Sequence, residues 1–161
     1  KSDCTPPPAS TGGNRRKGTS MRLVLDTNVV VSGLRSRTGA SAEILRRVLS
    51  GELAASASTA LLLEYEAVTM RPEHLKASGL SGGEVQDVLD ALSAAMDAAP
   101  IHWRLRPVSP DAGDDLVIEA AFNAGADIVV TVNERDLEKA CAALGIRTMR
   151  PSVLLASLKS E

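Results

Sequence analysis

Two periods of apolar and polar positions alternate along this chain. Residues 22–25 and 127–132 (DIVVTV) are short, almost continuously apolar runs, as expected of strands buried on both faces of a parallel sheet. The stretches between them repeat at helical spacing. Residues 29–34 predict a helix or tight loop, followed by a basic turn at 35–40 (RSRTGA). Ser41 then caps a helix carrying Ile44, Leu45, Val48 and Leu49, with Gly51 as its stop. Residues 53–56 predict a second strand. Ser58 caps a helix over 59–70 whose apolar face is Leu61, Leu62, Tyr65 and Val68, and Arg71-Pro72 ends it.

The second half follows the same logic. Residues 73–83 are polar, with three glycines, and read as a linker or short helix. Residues 84–98 form a helix through Val85, Val88, Leu89, Leu92 and Met96, closed by Pro100. A third strand is expected at 101–105, a loop at 107–113, and a helix at 116–123 with Gly125 as a left-handed cap. After the strand at 127–132 come a turn at 133–135, a helix at 136–144, a strand at 146–149 and a closing helix at 151–158 that opens on proline. Strands and helices in alternation predict an α/β fold with a mostly parallel sheet, and no internal repeat is present.

Composition narrows this picture. The 161 residues suit one domain with a real core, 44% of them apolar but only three aromatic, Tyr65, Trp103 and Phe122. The core is therefore aliphatic, and a nucleic acid would not be held mainly by a stacking platform. Residues 1–20 are rich in Pro, Gly, Ser and Thr and are expected to be a disordered extension or an appended remnant ahead of a domain at 21–161; Met21 directly precedes the first strand. The Arg15-Arg16-Lys17 cluster reads as a solvated charge run. Eighteen basic and twenty acidic residues give a net charge of -2, so no global field advertises a polyanion partner. Cys4 and Cys141 lack metal-binding spacing, which argues against structural zinc and fits a reducing, cytoplasmic setting. No apolar run approaches the roughly 20 residues of a membrane span, so no membrane partner is expected.

Four acidic positions stand out because such a sheet brings them to one edge. Asp26 ends the first strand, in MRLVLDTNVVVSG. Asp114 and Asp115 open the helix after the third strand, and Asp136 opens the one after DIVVTVN. The carboxyl ends of parallel strands share an edge, where open α/β folds bind ligands. Glu64, in LLLEYEAV, joins them only if its helix face turns inward. Each has a plainer explanation: acids are favoured at helix N-termini whatever the chemistry, and Asp26-Thr27-Asn28 offers oxygens for a helix cap. Asp114 and Asp115 lie about 100° apart on a helix, so one is expected to act as a ligand and the other as a cap or outer-shell group. Several carboxylates in one cleft repel unless a cation neutralises them, and hard oxygen donors suit Mg²⁺ or Mn²⁺.

In combination, MRLVLDTNVVVSGL, SASTALLLEYEAV, DDLVIEAAFNAGADIVVTVNERDL and GIRTMRPSVLLASL resemble the PIN domain, with greatest similarity to the toxin branch related to VapC-type toxins. The resemblance runs over residues 21–158. It implies a three-layer α/β/α sandwich and a Mg²⁺- or Mn²⁺-dependent ribonuclease cutting single-stranded RNA. It carries the family's acidic positions onto Asp26, Glu64, Asp115 and Asp136, and its polar positions onto Asn28, Thr131 and Asn133. An acid common directly after the fourth strand is here Asn133, so the resemblance leaves either Asn133 or Asp136 as the ligand. It also implies an antitoxin partner and a homodimer.

On this reading Asp26 is the central ligand, Asp115 and Asp136 complete the coordination, and Glu64 binds metal or orients water. Arg35, Arg37 and Arg135 are candidates to hold phosphates. His74 and His102 fall in no acid/base arrangement. Three other readings compete. A receiver-like phosphoacceptor would need an acid beside Asp26 and a lysine after a late strand, and Lys139 lies on a helix; an aspartyl phosphatase would need an acid where Asn28 stands. A PIN-like module that binds RNA or protein without cutting would keep the fold and lose the chemistry.

Overall fold

The computed structural model of the chain describes residues 21–105 and 111–160. The extension at 1–20, with Cys4 and the Arg15-Arg16-Lys17 cluster, and most of the 107–113 loop lie outside the described residues.

Five strands form one sheet: β1 (Arg22–Leu25), β2 (Ala54–Ala57), β3 (Asp97–Ala98), β4 (Ile128–Val130) and β5 (Arg147–Met149). Their order is β3-β2-β1-β4-β5, and every pairing is parallel. The helices are α1 (Thr27–Arg35), α2 (Ala40–Leu49), α3 (Thr59–Thr69), α4 (Pro72–Ser78), α5 (Gly82–Ala95), α6 (Ala112–Ala124), α7 (Glu134–Ala143) and α8 (Pro151–Lys159). From β1 to β3 the chain steps one way across the sheet, and from β3 to β5 it steps back. Right-handed crossovers in both senses place helices on both faces, the three-layer α/β/α sandwich expected. No helix among the described residues is long and apolar enough to cross a membrane.

The core is aliphatic. Leu23, Val24, Leu25, Ile128, Val129 and Val130 fill the central strands and are almost wholly buried. Their β-branched and leucine side chains explain why these two strands were legible from pattern alone. Tyr65 is the large exception, and its hydroxyl finds a partner in the carbonyl of Leu25.

Several boundaries differ from expectation: α6, expected from 116, already begins at Ala112 because Asp111 caps it, and α7, expected from 136, begins at Glu134. The third strand is not at 101–105 but at Asp97–Ala98, paired with Ser56 and Ala57. Two residues are too few to show a period, and the helical repeat through Met96 overrode them. Residues 101–105 are held instead by side chains, as described below. α5 begins at Gly82, two residues early, because Ser81 and Glu84 form a capping box that outweighs the glycines. The stretch from 73, expected as a linker or short helix, holds the short helix α4, which Pro72 opens just after α3 has ended at Thr69. α2 starts at Ala40 with Gly39 as its cap, so Ser41 lies inside the first turn.

Candidate active site

In a sheet ordered 3-2-1-4-5, the chain leaves β1 in one direction and β4 in the other, so a crevice opens between their carboxyl ends. Asp26 sits at that crevice. It immediately follows β1, is 6% exposed, and its N–H donates to the carbonyl of Val130 at 2.8 Å. Although it occupies the N-cap position of α1, its side chain does not cap the helix by the usual bond. The carboxylate is held by the other strand: Thr131 Oγ1, fully buried, donates to Asp26 Oδ2 at 2.7 Å.

Thr131 and Asn28 tie the two strand ends together. The Asn133 N–H donates to Thr131 Oγ1 at 3.1 Å, and the Val132 N–H donates to Asn28 Oδ1 at 3.3 Å. Asn133 Nδ2 then donates to Asp136 Oδ2 at 2.5 Å. A continuous chain of bonds therefore runs from Asp26 through Thr131 and Asn133 to Asp136, with Asn133 orienting the Asp136 carboxylate.

The opposite wall comes from α6. Its N-cap is Asp111, whose Oδ1 accepts from the Gly113 N–H at 2.7 Å. Neither of the two following acids is the cap. Asp115 is buried at 4% exposure, while Asp114 is half-buried on the crevice side. Glu64, on α3, does turn toward this wall. A β-carbon at Gly113 would lie 3.4 Å from Glu64 Oε1 and 3.1 Å from Asp111 Oδ1, so the absent side chain leaves a gap between the two carboxylates.

Crowding shows in the acidities. Burial pushes the Asp26 carboxyl above its ordinary range, and the charge of Asp111 pushes it further; bonds from Thr131, the Thr27 N–H and the Asn28 side chain oppose the rise. Asp114 is pushed up to about 6, by partial burial and by the charges of Asp26, Asp111, Asp136 and Asp115. The Cys141 thiol, buried beneath the site, is raised to about 11 by its burial and by Asp26 and Asp114. Asp26, Asp111, Asp115 and Asp136 thus share one field at Asp114, with Glu64 beside Gly113 at its edge.

Among the described residues, no three acidic, histidine or cysteine side chains are already closed on a common point as a metal cage. The donor set nonetheless fits a hard divalent cation: all its donors are carboxylate oxygens gathered at one sheet edge. Gly113 leaves room where Glu64 and Asp111 meet.

The arginines divide. Arg135 is exposed in the first turn of α7, beside Asp136. Arg35 and Arg37 are exposed beyond the far end of α1, and nine residues of helix put Arg35 about 13 Å from Asp26. Two residues near the site escaped the sequence reading. Asp111 gave only the weak signal of an acid two residues before a glycine, an Asx-turn pattern. Arg150 reaches the same edge after β5, where its N–H donates to Glu134 Oε1 at 3.0 Å.

The fold, the switch-point crevice and the acidic set define an α/β/α sandwich with a carboxylate-lined site at the carboxyl edge of its sheet. The chain matches the PIN domain family over residues 22–135, and it belongs to that family, one whose members are in general nucleases. No curated protein sequence matches it significantly. Among solved structures, it is similar to a chain in the crystal structure of VapBC2 from Rickettsia felis bound to a DNA fragment from their promoter. That likeness has a TM-score of 0.56 at 13% identity, covering 81% of this chain and 98% of the other, and it is a likeness of fold.

Proposed function

We propose that this chain is an endoribonuclease that hydrolyses phosphodiesters of single-stranded RNA at the β1/β4 crevice, with Mg²⁺ or Mn²⁺ as its cofactor. The observation that carries the reading is geometric: Thr131 and Asn133 link the Asp26 and Asp136 carboxylates across the β1/β4 crevice, beside the half-buried Asp114. Asp26, Asp114 and Asp136 would hold the ion, and Glu64 would bind it from the α3 side or orient water. Asp115, the position the resemblance gives, is as buried as Asp26 itself and adjoins Asp114 in the first turn of α6, so it stands beside Asp114 as a ligand candidate. A bound cation supplies an activated water and charge stabilisation on the leaving oxygen.

The chain's own residues do the positioning. Thr131 fixes the rotamer of Asp26, and Asn133 fixes that of Asp136. Asn133 therefore serves by orienting the ligand rather than replacing it. Arg135, exposed beside Asp136, stands where a phosphate flanking the scissile bond would pass; Arg35, the last residue of α1, and Arg37 just beyond it would meet phosphates further along the strand.

We further read the chain as the toxin of a toxin–antitoxin pair acting in the cytoplasm, as a homodimer partnered by an antitoxin. The similarity to a VapBC2 chain supports this reading, as does the free, buried Cys141. The test is cleavage of a mixed single-stranded RNA pool by wild type and Asp26→Asn, each with Mg²⁺, Mn²⁺ or EDTA. Cutting that requires both metal and Asp26 is expected. Cutting that persists in EDTA, or in Asp26→Asn, contradicts the mechanism; folded protein that binds RNA without cutting it under any condition is a binding module instead.

A further inference from the structure

Residues 101–105 leave the sheet after β3 and are fixed by side chains rather than by a strand partner. Asn123 is fully committed to them. Its Oδ1 accepts from the N–H groups of His102 at 2.8 Å and Trp103 at 2.9 Å, and its Nδ2 donates to the carbonyls of Trp103 at 2.8 Å and Glu119 at 2.9 Å. Both amide protons and both acceptor sites are in use. Glu119, buried at 3% exposure, accepts from the Leu105 N–H at 3.2 Å.

With its backbone turned inward, the segment presents His102, Trp103 and Arg104 outward, all three exposed. A segment that merely connected two elements would gain nothing from an exposed indole. Trp103 is 38% exposed, whereas Tyr65, the core aromatic, is wholly buried. A rigid indole between a guanidinium and an imidazole is suited to stacking on an unpaired base whose phosphates meet the flanking donors. Asn123 is nine residues along α6 from Asp114, about 13 Å, toward the amino edge of the sheet, where the end of α6 meets Arg22; a strand leaving the crevice along α6 reaches it within a few nucleotides.

We propose that Trp103 is a stacking post for a base of the single-stranded RNA, several nucleotides from the bond that is cut, with Asn123 as its positioning residue. The inference rests on the ribonuclease reading and deepens it by naming where the substrate is gripped away from the crevice.

The chain has one tryptophan, so its emission reports on the post alone. The full chain in EDTA is titrated with an oligouridylate of about twelve nucleotides, within the usual range of single-strand sites, and with a duplex of equal length. The single strand is expected to quench the emission saturably, less so as salt rises, and the duplex much less. Anisotropy of labelled oligouridylate should show affinity about tenfold weaker for Trp103→Ala, largely restored in Trp103→Phe. Asn123→Ala should weaken affinity similarly and shift the free emission to the red. Binding and metal-dependent cleavage with unchanged emission and unchanged Trp103→Ala affinity overturn the post while leaving the ribonuclease reading intact, and point to a protein contact at Trp103. Absence of RNA binding in every chain overturns both.

Discussion

The crevice between β1 and β4 and the flank beyond β3 are both placed by polar side chains, but on different foundations. At the crevice a backbone ladder comes first: Leu23, Val24 and Leu25 pair with Ile128, Val129 and Val130, and Asp26 continues that pairing through its N–H. Thr131, Asn133 and Asn28 then trim side chains that the ladder has already brought within reach. Beyond β3 there are only two paired residues, and Asn123 and Glu119 supply what a strand would have supplied. Polar substitutions should therefore alter chemistry at the crevice and placement at the flank.

The comparison breaks most sharply where the ladder itself is cut into. Leu23→Ala removes a fully buried side chain from the central strand, and denaturant unfolding should show a loss of about 3 kcal/mol. Thr131→Val keeps the shape and removes the donor to Asp26. Metal-supported cleavage should fall about 10- to 100-fold while circular dichroism is preserved, since the residue orients a ligand. At the flank, Asn123→Ala should cost about 1–2 kcal/mol, because its bonds lie near solvent, and should free the 101–105 segment to proteolysis.

The smallest effect has the opposite sign. The Asp114 carboxyl sits near 6 in the fold against an ordinary 3.8, so folding takes up a proton between those values. The resulting penalty is absent below about pH 4, grows between 4 and 6, and is complete above 6. Metal-free Asp114→Asn should thus be more stable than wild type at pH 7, by about 1 kcal/mol once solvent screening is allowed for. Thermal unfolding in EDTA should show this gain vanish at pH 4; added Mn²⁺ should reverse it in favour of wild type.

The same division explains what could be read from the sequence. β1 and β4 announced themselves through continuous apolar runs, and topology alone then put Asp26 and Asp136 on one edge. The β3 flank stayed hidden because two residues carry no period, and because an amide twenty residues away holds 101–105 in place of a ladder. Asp114 and Asp115 were recognised as alternatives. How each is presented to Asp26 depends on the helix phase set by Asp111 at the cap, a residue whose only signal is a weak Asx-turn pattern. Glu64 was legible as an acid on a helix, but its approach to Asp111 follows from α3 packing across α6 and from the bare backbone of Gly113.

The central claim is that the crevice carboxylates jointly hold a divalent cation, and calorimetric titration of Mn²⁺ into the full chain tests it most directly, with wild type and Asp26→Asn side by side at pH 6 and 7.5. The account predicts saturable binding to wild type, proton release on binding that is larger at pH 6 because Asp114 is then half protonated, and binding lost or severely weakened in Asp26→Asn. Equal Mn²⁺ affinity in the two chains, or no binding to wild type at either pH, would contradict it.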